Sequence, residues 1–197
     1  MIYKEKLVNL INENNGLILT KQLSEAGIPR AYLSSMVNAG LLVKLERGAY
    51  IARDGYDDEL YRYQVKYKKV IYSHETALFL HDLTDRDPIK YSITVPEGYN
   101  ASHLRALNFT VYSIKKTLYS LGLSKSKTAF GREVKCYDLE RTICDVVRHR
   151  NQIDIAIISD AVKRYAKRKD RNVPQLMRYA EKMRVVKPLR SYMEVVL

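Results

Sequence analysis

Residues 27 to 51 read "GIPRAYLSSMVNAGLLVKLERGAYI", and this stretch decides the fold. Pro29 suits the first turn of a helix, where its missing N–H costs nothing. Leu33, Met36 and Val37 then recur at helical spacing as a buried stripe, and Gly40 closes the segment. "LLVKLERGAYI" follows as two short strands around Glu46-Arg47-Gly48. Upstream, residues 3 to 14 place Leu7, Leu10 and Ile11 on one helical face, and "NNG" with Gly16 stops them. Thr20 is a candidate N-cap for a short helix that turns Leu23 and Ala26 inward and ends at Gly27. Three short helices and a two-stranded ribbon within residues 1 to 55 predict a winged helix-turn-helix.

In such a domain the third helix enters the major groove with the face opposite its buried stripe. That face comprises Arg30, Ala31, Tyr32, Ser34, Ser35 and Asn38. Arg30 can form a bidentate contact to guanine and Asn38 to adenine. Tyr32, Ser34 and Ser35 suit phosphate or sugar, which fix register without reading sequence. Lys21 and Gln22 open the second helix and are candidates for backbone contacts, while Lys44 and Arg47 on the ribbon can straddle a neighbouring groove. The same residues also serve as ordinary polar surface on a helical domain that contacts protein.

Residues 56 to 70, "YDDELYRYQVKYKKV", shift to acidic and then basic with several tyrosines, and are expected to connect two domains. From 71 to 197 a mixed α/β domain is expected, with a short sheet and a helical C-terminal part. Strand candidates are "YSITVP" (91–96), "FTVYSI" (109–114) and "EVKCYD" (133–138), all carrying β-branched or aromatic residues. Ser73 and Asp138 stand as N-caps of the helices "HETALFLHDL" and "LERTICDVVRHR". Helices are predicted over 152–168, 173–184 and 188–196. The fold class is therefore α+β.

The formal charge is +12, which favours polyanionic partners. It is unevenly placed. Residues 1–55 hold 7 basic and 5 acidic side chains, residues 56–147 hold 14 and 12, and residues 148–197 hold 13 and 5. Lys163, Arg164, Lys167, Arg168, Lys169 and Arg171 in "KRYAKRKDR" form a candidate surface for DNA flanking the site, for RNA, or for solvent alone. No apolar run approaches the ~20 residues of a membrane span, and the amphipathic start is unlike a signal peptide. Cys136 and Cys144, eight apart across a strand-to-helix junction, have neither metal nor disulfide spacing, so reduced thiols in a cytoplasmic protein are expected.

Signals for catalysis are poor, and no metal or cofactor is expected. His74-Glu75 opens like a zinc-protease motif, but His81 lies two helical turns on, about 10.5 Å away. Glu133 and Lys135 form the Glu-x-Lys of some metal-dependent nucleases, yet the neighbouring strand candidates contain no acidic residue, although Asp85 and Asp87 precede them. The sixteen tyrosines either stack on unpaired bases or act as filler with a hydrogen-bonding tip.

The ordered set "LTKQLSEAGIPRAYLSSMVNAGLLVKLERGAYI", "IYSHETALFLHDLTDRDP", "YSITVPEGYN" and "VKCYDLERTICDVVRHR" resembles AbiEi, the antitoxin of the AbiE abortive-infection systems. The specific parts are Ser73 to Ala77 with Leu83, Thr94-Val95-Pro96, and Asp138 to Thr142 with Asp145. The resemblance implies a bifunctional, non-enzymatic protein. Its winged helix would repress its own operon at promoter repeats. Its second domain would oppose a nucleotidyltransferase-like toxin without a stable complex, the type IV arrangement. The alternatives on the residues alone are a winged-helix nuclease using Glu133 and Lys135, or a protein-contact scaffold.

Overall fold

Leu7 and Ile11 of α1 (Ile2–Glu13) meet Leu23, Leu33, Met36 and Leu42 in one hydrophobic core. The structure, a computed structural model, describes residues 2–194. The chain divides into two compact units between Lys66 and Tyr67.

In the first unit α1 is followed by β1 (Leu17–Leu19), α2 (Thr20–Glu25), α3 (Ala31–Asn38), β2 (Leu42–Glu46) and β3 (Ala49–Ala52). The strands form an antiparallel sheet in the order β1-β3-β2, with Leu17 opposite Ile51 and Leu42 opposite Ala52. The three helices and the hairpin lie where the sequence predicts them, but three local details differ, the first being that Ala26, expected inward, is exposed after the end of α2. Pro29 precedes α3, which begins after Arg30. Thr20 does not cap α2; its N–H and its hydroxyl both donate to the Gly48 carbonyl, at 2.8 and 3.2 Å. That contact holds the start of α2 against the hairpin turn, while the Gln22 side chain accepts the Leu19 N–H at 2.8 Å. Gly48 turns at φ +86°, a region closed to most side chains.

The segment expected to connect the domains contains α4 (Glu59–Lys66), which belongs to the first unit. Arg62 is buried there and donates to Asp57 at 3.0 and 2.9 Å, to Glu59 at 3.1 Å, and to Glu46 of β2. Lys66 pairs with Glu46 as well. Burial alone would raise the Glu46 carboxyl, but the Lys66 and Arg62 hydrogen bonds hold it below its ordinary value. The hairpin is thus fastened to α4 by charge.

The second unit contains β4 (Ile71–Tyr72), α5 (His74–Leu80), β5 (Ser92–Pro96), α6 (Ser102–Ala106), β6 (Thr110–Ile114), α7 (Lys116–Tyr119), β7 (Leu123–Lys127) and β8 (Glu133–Tyr137). Four helices complete it: α8 (Leu139–Arg148), α9 (Ile155–Lys167), α10 (Val173–Met183) and α11 (Val186–Glu194). The sheet has five strands in the order β6-β5-β4-β8-β7, two more than the sequence reading found. β4 pairs with β5 antiparallel and with β8 parallel, β5 with β6 parallel, and β7 with β8 antiparallel.

Helix α8 is the centre of this unit, with every residue from Glu140 to Val147 buried. Ile143, Val146 and Val147 pack with Leu78, Ile158, Val162, Leu176 and Leu189 of the surrounding helices. Burial of each such side chain contributes about 1.5–3 kcal/mol. Asp138 caps the helix as the sequence predicts, accepting the Arg141 N–H at 2.8 Å. Glu140 accepts from the Tyr165 hydroxyl at 3.0 Å and the Asn172 N–H at 2.8 Å, which ties α8 to α9 and to the start of α10. Cys136 and Cys144 are free and buried.

Candidate nucleic-acid interface

At 100° per residue, the buried side of α3 is set by Leu33, Met36 and the half-buried Val37. Ala31, Ser34, Ser35 and Asn38 fall on the opposite side and are all exposed. Arg30 and Tyr32 lie on the two flanks. Tyr32 faces α1, packs against the first core and sits 5.8 Å from the Tyr3 ring, so it is a packing residue more than a phosphate ligand. Arg30 lies on the other flank, beside the hairpin. A cleft of about 530 Å³ brings Arg30, Ser34 and Arg47 together over Thr20 and Gly48. Thr20 and Gly48, in contact with each other, also line it. Helix and hairpin turn therefore present two guanidiniums to one space, which suits a phosphate by geometry and charge.

The two residues proposed for the start of α2 separate. Lys21 is exposed, with Glu25 at 3.3 Å. Gln22 turns inward: its amide NH₂ donates to Asn14 at 2.8 Å while its oxygen holds the Leu19 N–H. The expectation that Gln22 faces a nucleic-acid backbone is corrected on that ground. Lys44 and Arg47 are exposed on the hairpin.

The basic C-terminal segment is also divided by the structure. Lys163, Lys167, Lys169 and Arg171 are exposed. Arg164 instead bridges Asp160 at 2.9 Å and both oxygens of Asp85, fixing α9 to the loop after α5. Arg168 donates to both oxygens of Asp170 at 2.8 and 2.9 Å and to the His81 carbonyl at 2.9 Å. Those two guanidiniums act within the unit, and the expected six-residue surface is reduced to Lys163, Lys167, Lys169 and Arg171. Sequence alone missed this because Asp85 is 79 positions from Arg164.

His74 is buried and His81 half-buried, so the zinc-protease likeness ends there. Glu133 pairs with Lys125 at 2.8 Å, and Lys135 donates to the Lys68 carbonyl. Among the described residues no group of three or more His, Cys, Asp or Glu is arranged to hold a metal ion. Among the same residues no helix is long and apolar enough to cross a membrane.

Residues 5–52, the stretch that builds the helices, the hairpin and the cleft, match the family described as "Transcriptional regulator, AbiEi antitoxin". Over those residues the chain is similar to that family. A search of curated proteins gives no match. The structure is similar to one described as "Crystal structure of RV2827C protein from Mycobacterium tuberculosis". The likeness covers 98% of this chain and 77% of that one, with a TM-score of 0.63 and 13% identity. At that identity it is a likeness of fold. The AbiEi match runs from within α1 to β3 and stops before α4, so Arg62 lies outside it while its partner Glu46 lies inside.

Proposed function

We propose that the chain is a bifunctional AbiEi-type antitoxin and autorepressor. Its first unit works as a winged helix-turn-helix on repeats in its own promoter, with Ser34, Ser35 and Asn38 toward bases and Arg30, Arg47, Lys44 and Lys21 toward phosphates. The second unit, 67–197, opposes a nucleotidyltransferase-like toxin without a stable complex, as a type IV, cytoplasmic phage-defence element. The observation that carries this reading is that the residues matching the family also build the cleft holding Arg30, Ser34 and Arg47.

Two assays test the two halves. A mobility shift on DNA upstream of the gene should give a discrete complex that excess unrelated duplex does not compete away; no preference over unrelated duplex sinks the repressor half. Co-expression with the neighbouring toxin gene should restore growth, and reversal of Lys163 and Lys167 to Glu should reduce rescue without lowering thermal stability. Full rescue by that variant would remove the C-terminal lysines from the antitoxin role.

A further inference from the structure

The strand register gathers lysines at one end of the five-stranded sheet. β5 and β6 are parallel and both finish at that end, with Pro96 opposite Ile114, so Lys115 and Lys116 leave the sheet there. β4 runs antiparallel to β5 and therefore starts there, just after Lys69. β8 is parallel to β4 and starts there too, so the antiparallel β7 ends there. Lys127 stands opposite Glu133, and Lys125 stands opposite Lys135. Lys69, Lys115, Lys116, Lys125 and Lys127 are all exposed. The loop acids Asp82, Asp85 and Asp87 precede β5 and so lie toward the other end of the sheet, together with Arg86 and Lys90.

Like charges directly opposite in adjacent strands are destabilising, and Lys125 and Lys135 are such a pair. Burial, and then the nearby Lys68 ammonium, lower the proton affinity of Lys135. Glu97 and Glu133 lie at this end among the described residues of the unit, and Glu133 meets Lys125 in an exposed contact of the kind that contributes little. Aromatic rings share the same end. Tyr99 follows β5, its ring 6.0 Å from the exposed His103 ring and 6.0 Å from the Lys69 ammonium. The Tyr119 hydroxyl donates to the Lys69 carbonyl at 2.7 Å and so fixes α7 beside that lysine. Five strands span about 19 Å between the outer two, the reach of a few nucleotides.

We propose that this end of the sheet binds the backbone of a single-stranded nucleic acid, with its lysines on phosphates and Tyr99 and His103 stacking on bases. Cations alone would serve a duplex equally well; rings beside them favour unpaired bases, whose faces are open. The inference does not rest on the repressor reading, because it uses none of the residues of the first unit.

The test uses the full chain and a fluorescent 12-nucleotide oligouridylate, followed by anisotropy across a salt titration. Binding should weaken steeply with salt, by about 0.7 log units per decade for each phosphate engaged. Lys125→Glu/Lys127→Glu and Lys115→Glu/Lys116→Glu should each weaken it about tenfold or more, with unchanged circular dichroism. The milder Lys125→Gln/Lys127→Gln should give a smaller loss, which separates charge from misfolding. Tyr99→Ala or His103→Ala should cost about fivefold or more. Arg30→Ala/Arg47→Ala, which disables the promoter site, should bind the oligonucleotide as the parent does. The proposal is overturned by no binding at low salt, by indifference to lysine reversal, or by loss in the Arg30/Arg47 variant. It is equally overturned if removing both rings has no effect, or if a duplex of the same length competes equally.

Discussion

Nε2 of His74 lies 2.9 Å from Nδ1 of His149, and the two rings meet edge to face with centroids 4.8 Å apart. The same Nδ1 is 3.1 Å from the Asp145 carbonyl, which can only accept, so His149 carries its proton there. His74 must then accept at Nε2 and donate from Nδ1 to the Ser73 hydroxyl at 2.9 Å. The arrangement requires a neutral His74, held at φ +49° and stacked on Tyr112 at 3.4 Å. It joins the start of α5 to the end of α8 in the heart of the second unit.

Acid should therefore loosen this unit. Burial, then the His149, Arg141 and Arg148 charges, hold His74 well below the ordinary histidine value. Burial lowers His149 as well, with Arg148 and Arg141 adding to it against the opposing Asp145 carbonyl. The unfolded chain takes up these protons near pH 6.5 while the folded one resists, so stability is full above that value and falls as pH drops below it. Asp145 acts the other way: burial pushes it up to about 6, so the folded state gains a proton there. Asp138, also raised by burial, acts with Asp145. The two histidines titrate from a higher ordinary value and set the trend at the neutral end of the range, where each withheld proton is worth about 1.4 kcal/mol per pH unit. Urea midpoints should fall between pH 7.5 and 5, and His149→Gln should flatten the slope. A midpoint that rises on acidification would mean that Asp145 dominates.

Arg141 is fully buried, donates to Asp145 at 3.1 Å and to the carbonyls of Leu118 and Leu121 at 2.8 and 2.7 Å, and stacks 4.0 Å above the Tyr137 ring. Arg141→Ala leaves the Asp145 carboxyl buried without its cation and should cost about 3–5 kcal/mol in chemical denaturation. Arg141→Lys should recover little of this. A single ammonium cannot reproduce a planar fork that serves a carboxylate and two carbonyls at once. Recovery of most of the lost stability by lysine would show that charge alone matters here.

Gly122 offers a sharper probe of the same junction. It sits at φ +70°, and a Cβ there would lie 2.6 Å from the Arg141 Cβ. Gly122→Ala should lose about 2 kcal/mol or more, from backbone strain and displacement of Arg141 together. Gly98, at φ +83° with open space around it, isolates the strain component. Gly98→Ala should therefore cost about 1 kcal/mol, and thermal melts of the two variants compare the effects directly.

What the sequence revealed follows from how local each signal is. The helix stripes, Gly16, Gly40 and the Asp138 cap act within a few residues, and they were legible. β7, "LSKSK", carries no β-branched residue and is held by pairing with β8, while β4 is two residues long. Neither leaves a period to read. α4 has its buried positions at Leu60, Arg62 and Gln64, so its inward face reads as polar and the segment resembled a linker. The interface residues divide in the same way. Ser34, Ser35 and Asn38 follow from the period of α3. Long-range contacts fix the places of the others: Tyr32 with Tyr3, Arg164 with Asp85, and Gln22 with Asn14.

The cleft between α3 and the hairpin turn changes what each substitution in the first unit should do to promoter binding. Asn38 projects from the middle of the exposed side of α3, so Asn38→Ala should cost about 1–3 kcal/mol on the preferred sequence and relax choice at one base pair. Arg30 and Arg47 share the cleft, where a phosphate is the fitting ligand. Arg47→Ala should weaken all duplexes alike and lower the salt slope by about one. Arg30→Ala should behave as Arg47→Ala does, and the double variant should lose less than the two single losses combined, because one phosphate satisfies both. Mobility shifts on the promoter and on a scrambled duplex at several salt concentrations distinguish these outcomes. If Arg30→Ala alters base preference at constant salt slope, Arg30 reads guanine and the shared phosphate site is wrong.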